Sequence, residues 1–203
     1  MKAIVISPEG HDPRESAALG AFLELGLGSY HVRKPTWLKE ELEAWILGLP
    51  VAWRRRLVLH QHHDLVASLG LLGIHEKDAG PSKRVSTASR SCHDMDSLLS
   101  ALGKHPYVIF GPVFPSLTKP GYGPEPDYSW ADFKKVLASK RVPGGTLVHA
   151  IGGITAEVLP HCADLGFDGV AVLGSLWTSA DPVASYAELR AVADKLEARS
   201  CAA

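Results

Sequence analysis

Two neighbouring stretches decide the fold: Leu147-Val148-His149-Ala150-Ile151-Gly152-Gly153-Ile154-Thr155 and, fourteen residues on, Gly169-Val170-Ala171-Val172-Leu173-Gly174-Ser175-Leu176. Each is a short, β-branched apolar run that ends in glycine and opens a helical stretch, which is the pattern of a buried parallel strand entering a βα turn. Six more runs precede them: Ala3–Ile6, Ser29–Arg33, Leu57–His60, Leu72–His75, a fifth at Arg84–Thr87 or Ala88–Ser91, and Tyr107–Phe110. Helical stretches are predicted between them at 13–25, 37–47, 62–69, 94–102, 130–138, 156–165 and 182–196, several opening beside Ser, Thr or Asp caps. Eight strand–helix alternations with short loops and no linker predict a single-domain (β/α)8 TIM barrel. An open doubly wound sheet is disfavoured, because its phosphate loop belongs after the first strand and Ser7-Pro8-Glu9-Gly10 is no GxGxxG.

In such a barrel the chemistry sits where the strands end. The residues there are polar: His31, Arg33, Lys34, His60, Gln61, His62, His75, Glu76, Asp78, Ser91, His93, Ser116, Thr118 and Lys119. The loops at Gly152–Gly153 and Gly174–Ser175 present backbone N–H groups at helix openings, a geometry suited to phosphate. The long Pro/Gly-rich segment 110–123 is predicted to be a binding loop, and its Ser116, Thr118 and Lys119 suit a phosphate or diphosphate.

Composition narrows the classes of function. With 203 residues and 46% hydrophobic content, the chain can bury about 70% of its unfolded surface without disulfides or structural metal. The 21 basic and 22 acidic residues give a net charge of −1 and no global field for nucleic acid or an anionic membrane. There is no run of eighteen apolar residues, and MKAIVISPEG is too short for a signal peptide. Cys92, Cys162 and Cys201 are odd in number and lack CxxC spacing, which predicts a reduced, cytoplasmic setting. A homo-oligomer is compatible with these numbers.

The chain resembles the thiamine phosphate synthase family and its thiazole tautomerase relatives. The motifs are Tyr30-His31-Val32-Arg33, Ser91-Cys92-His93, Phe110-Gly111-Pro112-Val113-Phe114-Pro115-Ser116-Leu117-Thr118-Lys119, Ala150–Ile154 and Gly169–Leu176, in the family's order. The resemblance implies an enzyme that couples an aminopyrimidine diphosphate with a thiazole phosphate, forming thiamine phosphate and pyrophosphate by a dissociative route with Mg2+. It implies that Arg33, Ser91 and Lys119 hold the departing pyrophosphate and that Ser116 and Thr118 contact phosphates. Gly152, Gly153, Gly174 and Ser175 would bind the thiazole phosphate, and His31, where the family has Gln, would contact the aminopyrimidine.

The chain also departs from the family pattern. Arg33-Lys34-Pro35 replaces Arg-Glu-Lys, which makes Lys34 the candidate phosphate ligand. His60-Gln61 replaces Asn-Asp, and His75-Glu76-Lys77-Asp78 shifts the second acidic position, so the magnesium candidates are Gln61, Glu76 and Asp78. Pro112 stands where the tautomerases carry their catalytic His, which argues against tautomerase chemistry. Two alternatives remain: a non-catalytic barrel that binds a thiamine precursor, motivated by the altered acidic positions, and a zinc-dependent hydrolase. The latter is motivated by His60, His62, His63, His75 and His93 on one rim, with Asp64 and Glu76 nearby.

Overall fold

The computed structural model describes residues 1–78, 88–124, 128–140 and 145–201. Its strands are β1 (Lys2–Ile6), β2 (Ser29–Val32), β3 (Leu57–Leu59), β4 (Gly73–Glu76), β5 (Ala88–Cys92), β6 (Tyr107–Phe110), β7 (Leu147–Ala150) and β8 (Gly169–Val172). They close in sequence order into one parallel barrel, β1 pairing with β8 at Lys2↔Gly169 through Val5↔Val172. The predicted (β/α)8 barrel is therefore observed. Of the two sites for the fifth strand, 88–92 is the strand; 84–87 lies outside the described residues.

Around the barrel run α1 (Glu15–Glu24), α2 (Lys39–Gly48), α3 (Val51–Arg54), α4 (Leu65–Leu69), α5 (Met95–Ala101), α6 (Trp130–Lys140), α7 (Leu159–Leu165), α8 (Gly174–Trp177) and α9 (Pro182–Cys201). Caps fix three of these starts, Ser129 Oγ accepting the Asp132 N–H at the start of α6 at 3.3 Å. Asp94 Oδ1 accepts the Ser97 N–H at 2.7 Å, and Asp181 Oδ1 accepts the N–H groups of Val183 and Ala184 at 2.9 and 3.0 Å. Thr155, predicted as a cap, makes no such bond, and residues 156–158 form a 3-10 turn before α7. The short α3 was not predicted; Arg54 anchors it by donating to the carbonyls of Leu49 and Leu47.

Side chains along a strand alternate between the barrel interior and the helical layer. The outward set makes the main apolar core, with Leu19, Phe22, Tyr30, Val32, Leu57, Leu59, Phe110, Phe133 and Val170 all buried. The inward set has a small apolar cluster of Ile4, Ile6, Ile109 and Ala171. Val58 also faces inward, and polar groups fill much of the remainder: His31, His75, Ser89 and His149 are buried there beside Tyr107. Gly169 makes room for one of them, since a Cβ at that position would lie 2.4 Å from His149 Nδ1.

Candidate active site at the carboxyl end of the barrel

The loops after the strands enclose a cavity of about 1170 Å³. Its wall includes Arg33, His60, Gln61, His75, Asp78, Ser91, Ser116, Thr118, Lys119, Gly152, Gly153, Gly174 and Ser175, so most of the predicted site residues converge on one space. Three parts of the wall differ in chemistry.

The first is cationic. Arg33 follows β2, and its backbone is clasped by Ser7 of the β1 loop: Arg33 N–H donates to Ser7 Oγ at 2.8 Å, and Ser7 Oγ donates to the Arg33 carbonyl at 3.1 Å. Its guanidinium forms an ion pair with Glu9, and Lys119 Nζ lies 3.9 Å from the same Glu9 oxygen. One carboxylate thus stands between two cations on the cavity wall. Sequence reasoning had passed over Glu9, seeing in Ser7–Gly10 only a missing glycine motif; an acidic residue directly after a barrel strand is the signal that could have found it.

The second part is the pair of glycine turns. Gly152 and Gly153 have φ of +97° and +61°, and a Cβ on Gly153 would lie 2.4 Å from the Pro115 carbonyl oxygen. Only glycine lets the β7 turn meet the long loop this closely. That loop is laced to β7, with the N–H groups of Val113 and Phe114 donating to the carbonyls of Ile151 and Gly152 at 2.8 and 3.2 Å. Ser116 Oγ accepts the N–H of Lys119 at 3.1 Å and of Thr118 at 3.3 Å, so this hydroxyl shapes the loop that presents Lys119. Thr118 reaches the β8 turn, where a Cβ on Gly174 would lie 2.9 Å from Thr118 Cγ2. The first amides of α8 have no carbonyl partner within the helix. Ser175 Oγ beside them is buried without a hydrogen-bond partner, a donor pointed at no protein acceptor.

The third part is a bed of imidazoles. His60 and His75 line the cavity with ring centroids 4.2 Å apart and an interplanar angle of 30°. His75 is held by Ser89 Oγ and Ser91 Oγ, each at 2.8 Å from one ring nitrogen. His31 lies beneath, its Nδ1 3.0 Å from His60 Nε2 and its Nε2 2.7 Å from the Tyr107 hydroxyl. Burial is the largest cause holding all three rings neutral: His31 and His60 sit well below the ordinary 6.5, and His75 is lowered to about 3. His31, expected to contact a substrate ring, is fully buried beneath His60 and His75, which line the cavity in its place.

Two expectations, for Lys34 and Glu76, are corrected, and strand alternation explains both. Lys34 is no phosphate ligand. It follows Tyr30 and Val32 on the outward face of β2, and its side chain is completely buried against α1 and α2. There Nζ donates to Glu15 Oε2 at 2.5 Å and to the carbonyls of Pro8 and Gly10 at 2.8 and 2.9 Å, and lies 4.8 Å from the Trp37 ring. Tyr30 OH donates to the other Glu15 oxygen at 2.9 Å. Gln61 keeps the parity of Leu57 and Leu59, and its amide donates to the Lys34 carbonyl. Glu76 pairs in register with Arg90 on the outward faces of β4 and β5, is buried, and lies 3.7 Å from that guanidinium.

Of the three magnesium candidates, Asp78 is therefore the one carboxylate on the cavity wall, which Gln61 also lines with its amide turned to the Lys34 carbonyl. The histidine set expected for a hydrolase does not assemble as predicted either. His62 Nε2 faces the Trp37 carbonyl at 3.3 Å, Asp64 is paired with Lys39, and His93 Nδ1 bonds the Gly111 carbonyl at 2.8 Å. Pro112, at the position of the tautomerase histidine, follows Gly111 through a cis peptide bond.

A family model described as thiamine monophosphate synthase matches residues 3–176. A thiamine-phosphate synthase of Methylobacillus flagellatus is 31% identical over 147 residues, covering 67% of this chain and 66% of the relative. A second, from Levilactobacillus brevis, is 36% identical over 102 residues, covering 49% and 44%. The match thus spans two thirds or less of the length of these curated relatives. Among solved structures, a thiamine phosphate pyrophosphorylase from Bacteroides thetaiotaomicron superposes with a TM-score of 0.79 at 26% identity, covering 96% of this chain and 98% of that one. A Pyrococcus furiosus structure at 20% identity and TM-score 0.75 shares the fold. With five motifs in order, a closed barrel and a phosphate-suited rim already in place, the match over residues 3–176 settles the lineage: the chain belongs to the thiamine monophosphate synthase family.

Proposed function

We propose that this chain is a thiamine phosphate synthase, joining an aminopyrimidine diphosphate to a thiazole phosphate with release of pyrophosphate. The observation that carries the reading is the cavity wall itself, which sets two cations, Arg33 and Lys119, and two amide-rich glycine turns around one space. These are two anion sites of different character, as the two substrates require. The reaction is a transfer: the pyrimidinylmethyl C–O bond breaks with its electrons going to the diphosphate, and the thiazole nitrogen then donates its pair to the methylene carbon. No proton must be removed for this exchange, and the site accordingly offers charge and position rather than a base.

Arg33 and Lys119 stabilise the negative charge growing on the leaving group, taking it in place of Glu9. Thr118 adds a hydroxyl from the same loop. The amides of Gly153 and Gly174, with Gly152 allowing the close turn and Ser175 Oγ supplying its unpartnered hydroxyl, hold the thiazole phosphate. His60 and His75, neutral and stacked, offer hydrogen bonds to an aminopyrimidine without placing a positive charge beside the cation that forms from it; Ser91 fixes the ring of His75. Asp78 would be the protein carboxylate for magnesium, which would supply further charge neutralisation at the diphosphate, since this ion commonly takes only one or two carboxylates. The buried free thiols of Cys92 and Cys162 support a cytoplasmic setting. Among the described residues no helix is long and apolar enough to cross a membrane.

The deciding experiment is product formation from the two substrates with magnesium and with chelator. Thiamine phosphate appearing only with magnesium is the expected result; both substrates binding with no product would replace the synthase by a precursor-binding barrel. Arg33→Ala is expected to lower kcat/KM for the diphosphate substrate by about 100- to 1000-fold, the range for removing one donor aimed at developing charge. Unchanged kinetics would remove Arg33 from the leaving-group site.

A further inference from the structure

With His31 beneath them, the two rings offered above to an aminopyrimidine have a geometry that suits a second kind of ligand when no substrate is bound. Among the described residues, His31, His60 and His75 form a cluster in which one ligand atom from each lies within 4.8 Å of the others. Tetrahedral zinc with Zn–N of about 2.05 Å needs ligand nitrogens about 3.4 Å apart, so small side-chain rotations close the set. His31 Nδ1 and His60 Nε2, at 3.0 Å, already stand at about that separation.

The surroundings match what metal-bound histidines need, a partner on the second ring nitrogen. If His31 Nδ1 ligates, Nε2 keeps the Tyr107 hydroxyl. His75 has a serine on each nitrogen, Ser89 on Nδ1 and Ser91 on Nε2, so whichever atom ligates, the other remains held. The three residues come from β2, β3 and β4, neighbouring elements of a closed sheet, with His60 directly after β3. His60 and His75 face the cavity, which leaves the outer coordination position open to a small ligand.

We infer that His31, His60 and His75 form a binding site for one borderline-soft divalent cation, Zn2+ or Co2+, with a fourth position open to the cavity. The all-nitrogen donor set selects such ions over magnesium, which prefers oxygen. The site is separate from the diphosphate-bound magnesium proposed above and belongs to the substrate-free protein, where the cation and an aminopyrimidine compete for His60 and His75.

The test uses untagged, chelator-stripped full chain without diphosphate, titrated with Co2+ and followed by visible absorption, with stoichiometry from elemental analysis. Expected are one Co2+ per chain, the intense absorption of four-coordinate cobalt, and no displacement by excess Mg2+. His60→Gln, at the half-exposed ligand, is expected to weaken binding at least about 100-fold. Tyr107→Phe, which removes the hydroxyl that supports His31 and also bonds Ser89 without removing a ligand atom, should weaken it by about 10- to 100-fold. His11→Ala, an exposed histidine outside the site, should leave binding unchanged. Absence of binding, a weak six-coordinate spectrum, or equal affinity in His60→Gln with its fold intact by circular dichroism would each overturn the assignment.

Discussion

Replacing Lys34 with methionine is expected to lower the stability of the fold by about 3–5 kcal/mol, the usual consequence of leaving one member of a buried ion pair alone. In a chain of this size that moves the thermal midpoint down by about 10 °C. The reason lies in Glu15, buried at the start of α1 with Lys34 and Tyr30 as partners. Burial already holds the Glu15 carboxyl above its ordinary 4.5 and Lys34 below 10.5, so neither charge is comfortable without the other. Losing the ammonium raises the Glu15 value further. A carboxyl whose folded value is raised adds no penalty below its unfolded value and a growing one as pH rises past it. The deficit of Lys34→Met relative to the parent should therefore shrink as pH falls through the raised value toward the ordinary 4.5, where Glu15 is protonated in the folded state. Adding Glu15→Gln should restore most of the loss. Calorimetry of the single and double variants checks this; an unchanged midpoint in Lys34→Met would return Lys34 to the cavity as a phosphate ligand.

Acid should unfold this protein through its barrel interior. His31 and His60 titrate well below 6.5, His75 at about 3 and His149 at about 4, in each case chiefly because burial excludes the charged ring. The unfolded chain takes up protons near 6.5 while the folded one does not, so the stabilisation is complete above 6.5 and is lost as pH falls toward these depressed values. His149 alone accounts for about 3 kcal/mol, at about 1.4 kcal/mol per pH unit. Urea midpoints should fall steeply between pH 6.5 and 4, with several protons bound on unfolding. His149→Gln should flatten that slope by about one proton, and a profile level down to pH 4.5 would show that the interior histidines are hydrated and free to charge.

The architecture was legible because a parallel barrel writes its strands as apolar runs and its turns as glycines. The runs at 107–110, 147–150 and 169–172 fall where the apolar pattern put them, and Gly152, Gly153 and Gly174 do stand at the cavity. What misled was treating every polar residue after a strand as part of one rim. Side chains on a strand alternate, so Arg33 and Lys34 cannot both enter the cavity, nor His75 and Glu76. Parity selects Arg33, His60 and His75, the residues in line with His31, Val58 and Gly73. Taken from His31 onward, it would have placed Lys34 outside. The partners lay beyond any local reading: Glu15 is nineteen positions from Lys34, and Glu9 is twenty-four from Arg33.

Lys34 grips the carbonyls of Pro8 and Gly10, the residues flanking Glu9, from the helical side of the sheet. The carboxylate that stands guard between Arg33 and Lys119 is consequently suspended from an anchor outside the cavity. Libraries that randomise only the chamber lining would leave that suspension untouched. Mutagenesis aimed at a new leaving group belongs equally in the packing between α1 and β2, where a shift in Tyr30 or Glu15 re-aims the guard without changing a residue that any ligand meets.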